Sequence, residues 1–350
     1  MKNFIRGYCT AKGSEKYTSQ FKNYSKDLYS TVHNLKLSGY GVGSYSPNGI
    51  KEISEIISMF EHLWNSGCNV IDTASNYQDG NSELAVGAFV KKQFLIDQGF
   101  RKGLFIATKA GLLSISDQRK IKNSSNILLK GPHFNFEPEH FELSIRQSSA
   151  RMEVETIDCI FIHNPEEALK TNNSLNACEV LLPIIEVIES FCQKGFVKSW
   201  GISTWSSFIS NPESADYLSI SDIYAAASQV AGEKHNFKYI QIPFGLWNLE
   251  QTLVSNQKNV DGNFSDCISA ARSFKLGIFS NSSLLQGERL EKCIDWEELY
   301  PDDLDLSHAQ KILHITRSLS FADVNLVGMS SSESLSENIK LFSLPKLDLS

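Results

Sequence analysis

The 350-residue sequence lacks any run of about 18 apolar residues, the minimum for a helix that spans a bilayer. Its first residues, MKNFIRGYCTAKG, show neither a long apolar stretch nor a cleavage pattern. No membrane span and no secretory leader are expected, and the expected location is the cytoplasm. A basic surplus is also missing. Formal net charge is −7 at pH 7, which argues against a nucleic-acid partner, because such a surface needs clustered Lys and Arg. The seven cysteines (Cys9, Cys68, Cys159, Cys178, Cys192, Cys267 and Cys293) are scattered and contain no C-x-x-C pair. That argues against a disulfide framework or a zinc cluster, and they read as thiols of a reducing compartment. Asn-x-Ser triplets at Asn23 and Asn263 then carry no message. Internal repeats and low-complexity tracts are absent as well.

Hydrophobic residues make up 41% and charged residues 21% of the chain, a balance that builds an ordinary core rather than a disordered polymer. The length suits two average domains or one large barrel. Short runs rich in Ile, Val and Phe recur at residues 40–45, 68–74, 104–111, 157–164, 197–204, 239–246, 276–283 and 324–330. These read as eight strands buried on both faces. Amphipathic stretches fill the gaps, at residues 52–67, 82–94, 181–195, 307–319 and 332–342, with Gly67 as a C-cap and Ser82 and Ser332 as helix starts. Strands alternating with helices imply a parallel sheet. An open doubly wound sheet usually carries G-x-G-x-x-G after its first strand. Here Gly39, Gly41 and Gly43 are spaced G-x-G-x-G. The predicted fold is therefore a single (β/α)8 TIM barrel over residues 37–350, preceded by an extension, residues 1–36, that forms either a plug or a loose arm. The Ser/Asn/Lys-rich residues 112–136 read as a long loop at the strand C-terminal side, as a substrate loop or a solvated insertion.

Polar residues stand at or just after successive strand ends: Asp72, Tyr77 in the following loop, Lys109 and His163. In a barrel these ends converge on one mouth. Each has an ordinary reading alone: Asp72 as a helix N-cap, Tyr77 as packing, His163 as a structural imidazole. Lys109 is harder to dismiss, because an unpaired ammonium in an apolar strand is costly, and Asp72 is its obvious partner. Reduction of a carbonyl needs a hydride on carbon and a proton on oxygen. A tyrosine can give that proton if a nearby ammonium favours its phenolate and lowers a pKa of about 10. Tyr77 is thus the predicted general acid, Lys109 its tuner, Asp72 the anchor of Lys109, and His163 the group that orients the carbonyl.

At these residues the sequence resembles the aldo-keto reductase superfamily. GCNVIDTASNYQDGNSELAVG looks like its second-strand signature, ATKAG like its lysine motif, SIRQSSARMEVETIDCIFIHNP like its helix-strand signature, and FVKSWGIST like its fifth-strand motif. The likeness runs over residues 37–342 with the motifs in family order. It implies a nicotinamide dinucleotide extended across the barrel mouth. Carried over by position, Ser203 and Gln241 would hold the nicotinamide amide, with Thr204 where the family usually has Asn. Phe279 would stack on the ring, Ser280 and Ser282 would face the pyrophosphate, and Gly43 and Ser44 would be first-strand contacts beside Asp72. LVGMSSSESLSENI resembles the adenosine-binding segment, with Gly328, Ser330, Ser334 and Asn338 as contacts. No Arg lies between Phe321 and Ile339 to grip a 2′-phosphate. NADPH is the expected cofactor by family habit, and NADH the alternative. HNPEE and the long third loop point to a branch outside the aldose reductases. Phe244 and Trp247 are read either as a substrate wall or as core.

The expected partner is a small carbonyl compound. The competing reading is a cofactor-binding regulatory subunit of the same fold with weak turnover; the intact set of Asp72, Tyr77, Lys109 and His163 favours the enzyme. A metal-dependent barrel enzyme would want several His, Asp or Glu residues at strand ends, and only one His and one Asp stand there, so no metal is expected.

Overall fold

Runs too apolar for either face to meet water can bury themselves by closing a sheet on itself and covering the outside with helices. The computed structural model describes residues 4–45, 52–121, 131–171, 177–285, 300, 304–328 and 332–349. The chain opens with α1 (Ala11–Thr18) and an antiparallel hairpin, β1 (Tyr29–Val32) and β2 (Leu35–Ser38). Six barrel strands follow: β3 (Tyr40–Gly43), β4 (Val70–Asp72), β5 (Phe105–Ala110), β6 (Ile157–His163), β7 (Val197–Ser203) and β8 (Phe237–Pro243). A small hairpin, β9 (Gln257–Lys258) and β10 (Phe264–Ser265), precedes the last two, β11 (Gly277–Asn281) and β12 (Val324–Gly328). The eight barrel strands are parallel and closed, in the order β3-β4-β5-β6-β7-β8-β11-β12, with β12 returning to β3. The (β/α)8 architecture expected from the sequence is the one found.

The helices are α2 (Ile53–Asn65), α3 (Asn81–Ile96), α4 (Ile115–Ile121), α5 (Pro138–Met152), α6 (Glu166–Thr171) and α7 (Ala177–Gln193). They continue with α8 (Ile220–Ala231), α9 (Leu249–Thr252), α10 (Cys267–Ser273), α11 (His308–Ser318) and α12 (Ser332–Ile339). Gly67 ends α2 with φ +90°, a conformation that favours glycine. Ser82 does not cap α3. The helix starts at Asn81 after Gly80, and the Ser82 hydroxyl donates instead to the Ser44 carbonyl at 3.3 Å. Among the described residues no helix is long and apolar enough to cross a membrane.

Alternate residues fill the barrel. Val70, Phe105, Ala107, Cys159, Phe161, Tyr239, Phe279, Val324 and Leu326 form one buried cluster with Cys9, Val32 and Leu37 of the N-terminal segment. Gly41 is needed there, since a Cβ would lie 2.8 Å from Val324 Cγ1 and 2.9 Å from Leu326 Cδ2. The β1–β2 hairpin closes the base: His33 meets the edge of Tyr239 at 5.2 Å, and Ser38 is bonded to Asn69 before β4. A buried ion pair ties the N-terminal segment to the strands. Arg101 Nη2 lies 2.6 Å from Asp158 Oδ2, and the N–H groups of Ile106 and Cys9 donate to the same carboxylate. Removing one partner strands a buried charge. Asp158→Ala is expected to lower unfolding free energy by about 3–5 kcal/mol in urea titrations; a loss below about 1 kcal/mol would show that the pair carries no structural role.

Candidate active site

The pleat of each strand turns every second side chain inward, so the last inward residue of each strand stands on the barrel rim. Asp72 closes β4, Lys109 lies next to last in β5, and His163 closes β6. Lys109 Nζ donates to Asp72 Oδ2, to the Thr73 carbonyl at 3.0 Å and to the Tyr77 hydroxyl oxygen at 3.4 Å. The rings of Tyr77 and His163 meet edge to face at 5.9 Å. All four expected catalytic side chains therefore gather at one rim. Asp72 is not a helix cap: its second oxygen accepts from Gln241 Nε2 at 2.9 Å. Gln241 Oε1 in turn accepts from Ser203 Oγ at 2.9 Å and Asn281 Nδ2 at 3.3 Å.

Burial and charge act on these groups in opposite directions. Burial works against the Lys109 ammonium, but Asp72 and Tyr77 outweigh it and hold its pKa above the ordinary value. Burial pushes the Asp72 carboxyl up, and Lys109 pulls it part of the way back. His163 is held well below the usual imidazole value, by burial first and by the Lys109 charge second. Tyr77 corrects an expectation. Its pKa is raised, because burial outweighs the lowering by Lys109. The phenol rests protonated rather than partly ionised.

Tyr77 is positioned by an unusual loop. Gln78 and Asp79 have φ +51° and +58°, and Gly80 follows at +89°. Left-handed conformations at non-glycine residues are costly unless surroundings impose them. Here Gln78 Nε2 donates to the Ser44 carbonyl at 3.1 Å, and Asp79 Oδ1 accepts the Ser116 N–H at 2.9 Å. The Tyr45 ring lies 5.3 Å from that of Tyr77.

The expected cofactor contacts divide. Gly43 faces open space, with the nearest atom 3.9 Å from where a Cβ would sit, and Gly328 pairs with it in register. Ser203 and Gln241 are on the rim. Ser44 is buried and donates to the Asp72 carbonyl at 3.2 Å. Ser282 follows β11 with φ +56°, its carbonyl bonded to Trp247 Nε1 at 3.0 Å. Ser334 and Asn338 lie on α12. Ser330 lies outside the described residues, as do residues 122–130 of the long loop. Three expectations need correction. Phe279 is fully buried in the barrel interior against Phe105, Phe161 and Tyr239, one pleat below the rim, so its ring is not free to stack on a ligand. Ser280 belongs to the opposite face of β11, where its hydroxyl donates to Asn325 Oδ1 at 2.8 Å. The Thr204 hydroxyl accepts the Ser207 N–H at 3.0 Å and so closes its own turn. Phe244 is core, packed on Phe321.

Two rim residues were missed. Asn281 is the inward residue above Phe279, and counting two along β11 from Phe279 would have found it. Glu166, buried just after His163, accepts the Trp205 N–H at 2.7 Å, and burial raises its pKa; nothing in HNPEE marks it as buried. Among the described residues, buried polar atoms without partners at this end include Thr73 Oγ1, His163 Nδ1, Glu166 Oε2, Ser207 Oγ, Asn281 Oδ1 and Ser283 Oγ. Native interiors satisfy such groups, so the mouth fits a ligand rich in donors and acceptors, as a dinucleotide is.

Fold and site define a (β/α)8 barrel whose mouth holds a coupled phenol, ammonium, carboxylate and imidazole. The chain matches the Aldo/keto reductase family over residues 39–240 and belongs to that family. It is 24% identical over 179 residues to a putative voltage-gated potassium channel subunit beta of Schizosaccharomyces pombe, a stretch covering 50% of this chain and 44% of that protein. It is 26% identical over 176 residues to a D-threo-aldose 1-dehydrogenase of a Pseudomonas species, covering 47% of this chain and 49% of the relative. The chain thus spans about half the length of these relatives. Among solved structures, the aldo-keto reductase of Bacillus halodurans in its holo form superposes with a TM-score of 0.62 at 15% identity, over 91% of this chain and 92% of that one. An aldo-keto reductase of Klebsiella pneumoniae in complex with NADPH gives 0.55 at 16% identity, over 91% and 90%.

His163 supplies a pH test. Its folded pKa is depressed, so folding favours the neutral ring. That stabilisation is complete above the ordinary imidazole pKa of about 6.5 and is lost as pH falls through the folded value. NMR should show no His163 titration between about pH 6.5 and 8. His163→Gln should flatten the acid limb of the stability curve; a midpoint of about 6.5 or above for His163 would contradict the burial argument.

Proposed function

We propose that this protein is a nicotinamide-dependent oxidoreductase that reduces an aldehyde or ketone to an alcohol, or catalyses the reverse. The single observation that carries the reading is the Lys109 ammonium, buried and hydrogen-bonded at once to Asp72 and to the Tyr77 hydroxyl. A binding module has no use for an ammonium donating to a phenol oxygen; a proton donor does. Tyr77 rests protonated and is the general acid. As its proton leaves for the carbonyl oxygen, the Lys109 N–H bond to the phenol oxygen strengthens and stabilises the phenolate. Asp72 holds Lys109 in place and keeps it charged. Neutral His163 orients the carbonyl by a hydrogen bond without adding a second positive charge beside Lys109.

The cofactor, NADPH in the first instance and NADH as the alternative, supplies the hydride when bound. Ser203, Gln241 and the open backbone at Gly43 and Gly328 would hold it at the rim, with Ser282, Ser334 and Asn338 toward its phosphate and adenosine ends. The family membership and the NADPH complex of the Klebsiella pneumoniae neighbour support this assignment. The substrate is a small carbonyl compound or the matching alcohol, and the setting is the cytoplasm. Residues 37–350 act as the catalytic barrel, with residues 1–36 as an extension across its base. Similarity to the putative potassium channel subunit beta favours a second reading, a regulatory subunit with weak turnover.

Turnover separates the two. Purified protein should oxidise NADPH or NADH in the presence of reactive aldehydes. Tyr77→Phe should lower kcat by about 100- to 10,000-fold, the usual weight of a general acid, while dinucleotide affinity stays within about twofold. Full activity in Tyr77→Phe would remove Tyr77 from the mechanism. Tight dinucleotide binding with no turnover on any aldehyde would favour the regulatory reading.

A further inference from the structure

The polar rim fixes the orientation of one amide, and that amide is left with an unused acceptor. Asp72, ion-paired with Lys109, presents carboxylate oxygens that accept hydrogen bonds. Gln241 must therefore turn its NH2 toward Asp72 Oδ1, at 2.9 Å. This points Gln241 Oε1 the other way, where it accepts from Ser203 Oγ at 2.9 Å and from Asn281 Nδ2 at 3.3 Å. Asn281 is thereby oriented as well. A flipped amide would set two oxygens against each other, so its NH2 stays on Gln241 and its Oδ1 faces away. Asn281 Oδ1 is buried and has no hydrogen-bond partner.

We infer that Asn281 binds the cofactor's nicotinamide, its Oδ1 accepting a hydrogen bond from the carboxamide NH2. The inference rests on the reductase reading above. Three features support it. The side chain occupies the rim position of β11, whereas Phe279 is sunk one pleat lower among interior rings. Thr204, the neighbouring candidate for an amide contact, has its hydroxyl engaged by the Ser207 N–H. The unused oxygen belongs to the same hydrogen-bonded chain as Asp72 and Lys109, so a ring held by it is placed against the proton-donating group. In this barrel an amide on the seventh barrel strand replaces a stacking ring as the means of holding the nicotinamide.

Calorimetric titration of the wild type and Asn281→Ala with three probes tests it: the preferred dinucleotide, NADPH or NADH; its 3-acetylpyridine analogue, in which a methyl group replaces the carboxamide NH2; and the matching ADP-ribose fragment, which lacks the ring. Asn281→Ala should bind the dinucleotide about tenfold more weakly, the size of one well-placed hydrogen bond. Its affinity for the analogue and the fragment should stay within about twofold of wild type. Equal thermal midpoints for the wild type and Asn281→Ala would show that the variant folds. An equal loss on all three probes, or no loss on the dinucleotide, would overturn the assignment while leaving the reductase reading intact. Failure of the wild type to bind either dinucleotide would overturn both.

Discussion

The rim of this barrel is organised by one buried charge. Lys109 lies in a strand whose residues are all buried, and its ammonium has three acceptors: Asp72, the Thr73 carbonyl and the Tyr77 oxygen. A lysine in that position without them would be neutral or would unfold the strand end. The requirement propagates. Asp72 must be a carboxylate and must be close, so its second oxygen also needs a donor, and Gln241 supplies it from the far side of the barrel. Gln241 then fixes Ser203 and Asn281. The rim is thus one hydrogen-bonded chain that starts at a charge, rather than a set of independent residues.

The floor beneath that chain matters for its electrostatics. Phe105, Phe161, Tyr239 and Phe279 pack edge and face against one another in the interior below the rim. Low polarity strengthens the Lys109–Asp72 attraction and raises the cost of every unpaired group nearby. This explains why His163 is pushed to its neutral form and why Tyr77 keeps its proton despite an adjacent ammonium. For the proposed general acid, a resting phenol too weak in isolation suits a step in which the ammonium's help grows only as the proton departs.

How much of this could be read from residues alone follows from the same physics. The eight strands were legible because burial on both faces demands near-continuous apolar runs, and Asp72, Lys109 and His163 stood out because polar groups at the ends of such runs need a reason. Tyr77 was legible only through the motif around it. The error over Phe279 and Asn281 was one pleat deep. Alternation along β11 puts both on the inward face, and only closure of the barrel decides which of them reaches the rim. The hydroxyls of Ser280 and Thr204 were misread because short polar side chains choose between ligand and local backbone by geometry that spacing does not encode. The direction of the Tyr77 pKa depended on burial, which a sequence cannot weigh against a neighbouring charge. Helix α10 has only 7 residues, too short to show a periodic apolar stripe, and the β1–β2 hairpin stood in a polar segment where the Leu35-Lys36-Leu37-Ser38 alternation lasts only one short strand.

The Tyr77 loop shows what the rim costs elsewhere. Two left-handed non-glycine residues in succession are unfavourable, and they sit immediately after Tyr77. Each is held from a different direction: Gln78 by the end of the first barrel strand, Asp79 by the N–H of Ser116 at the start of α4. Neither bond touches Tyr77. Together they over-determine the turn that carries it, so that the phenol is fixed between β3 on one side and the loop after β5 on the other. The described start of the long third loop, at Ser116, is therefore also part of the frame that holds Tyr77.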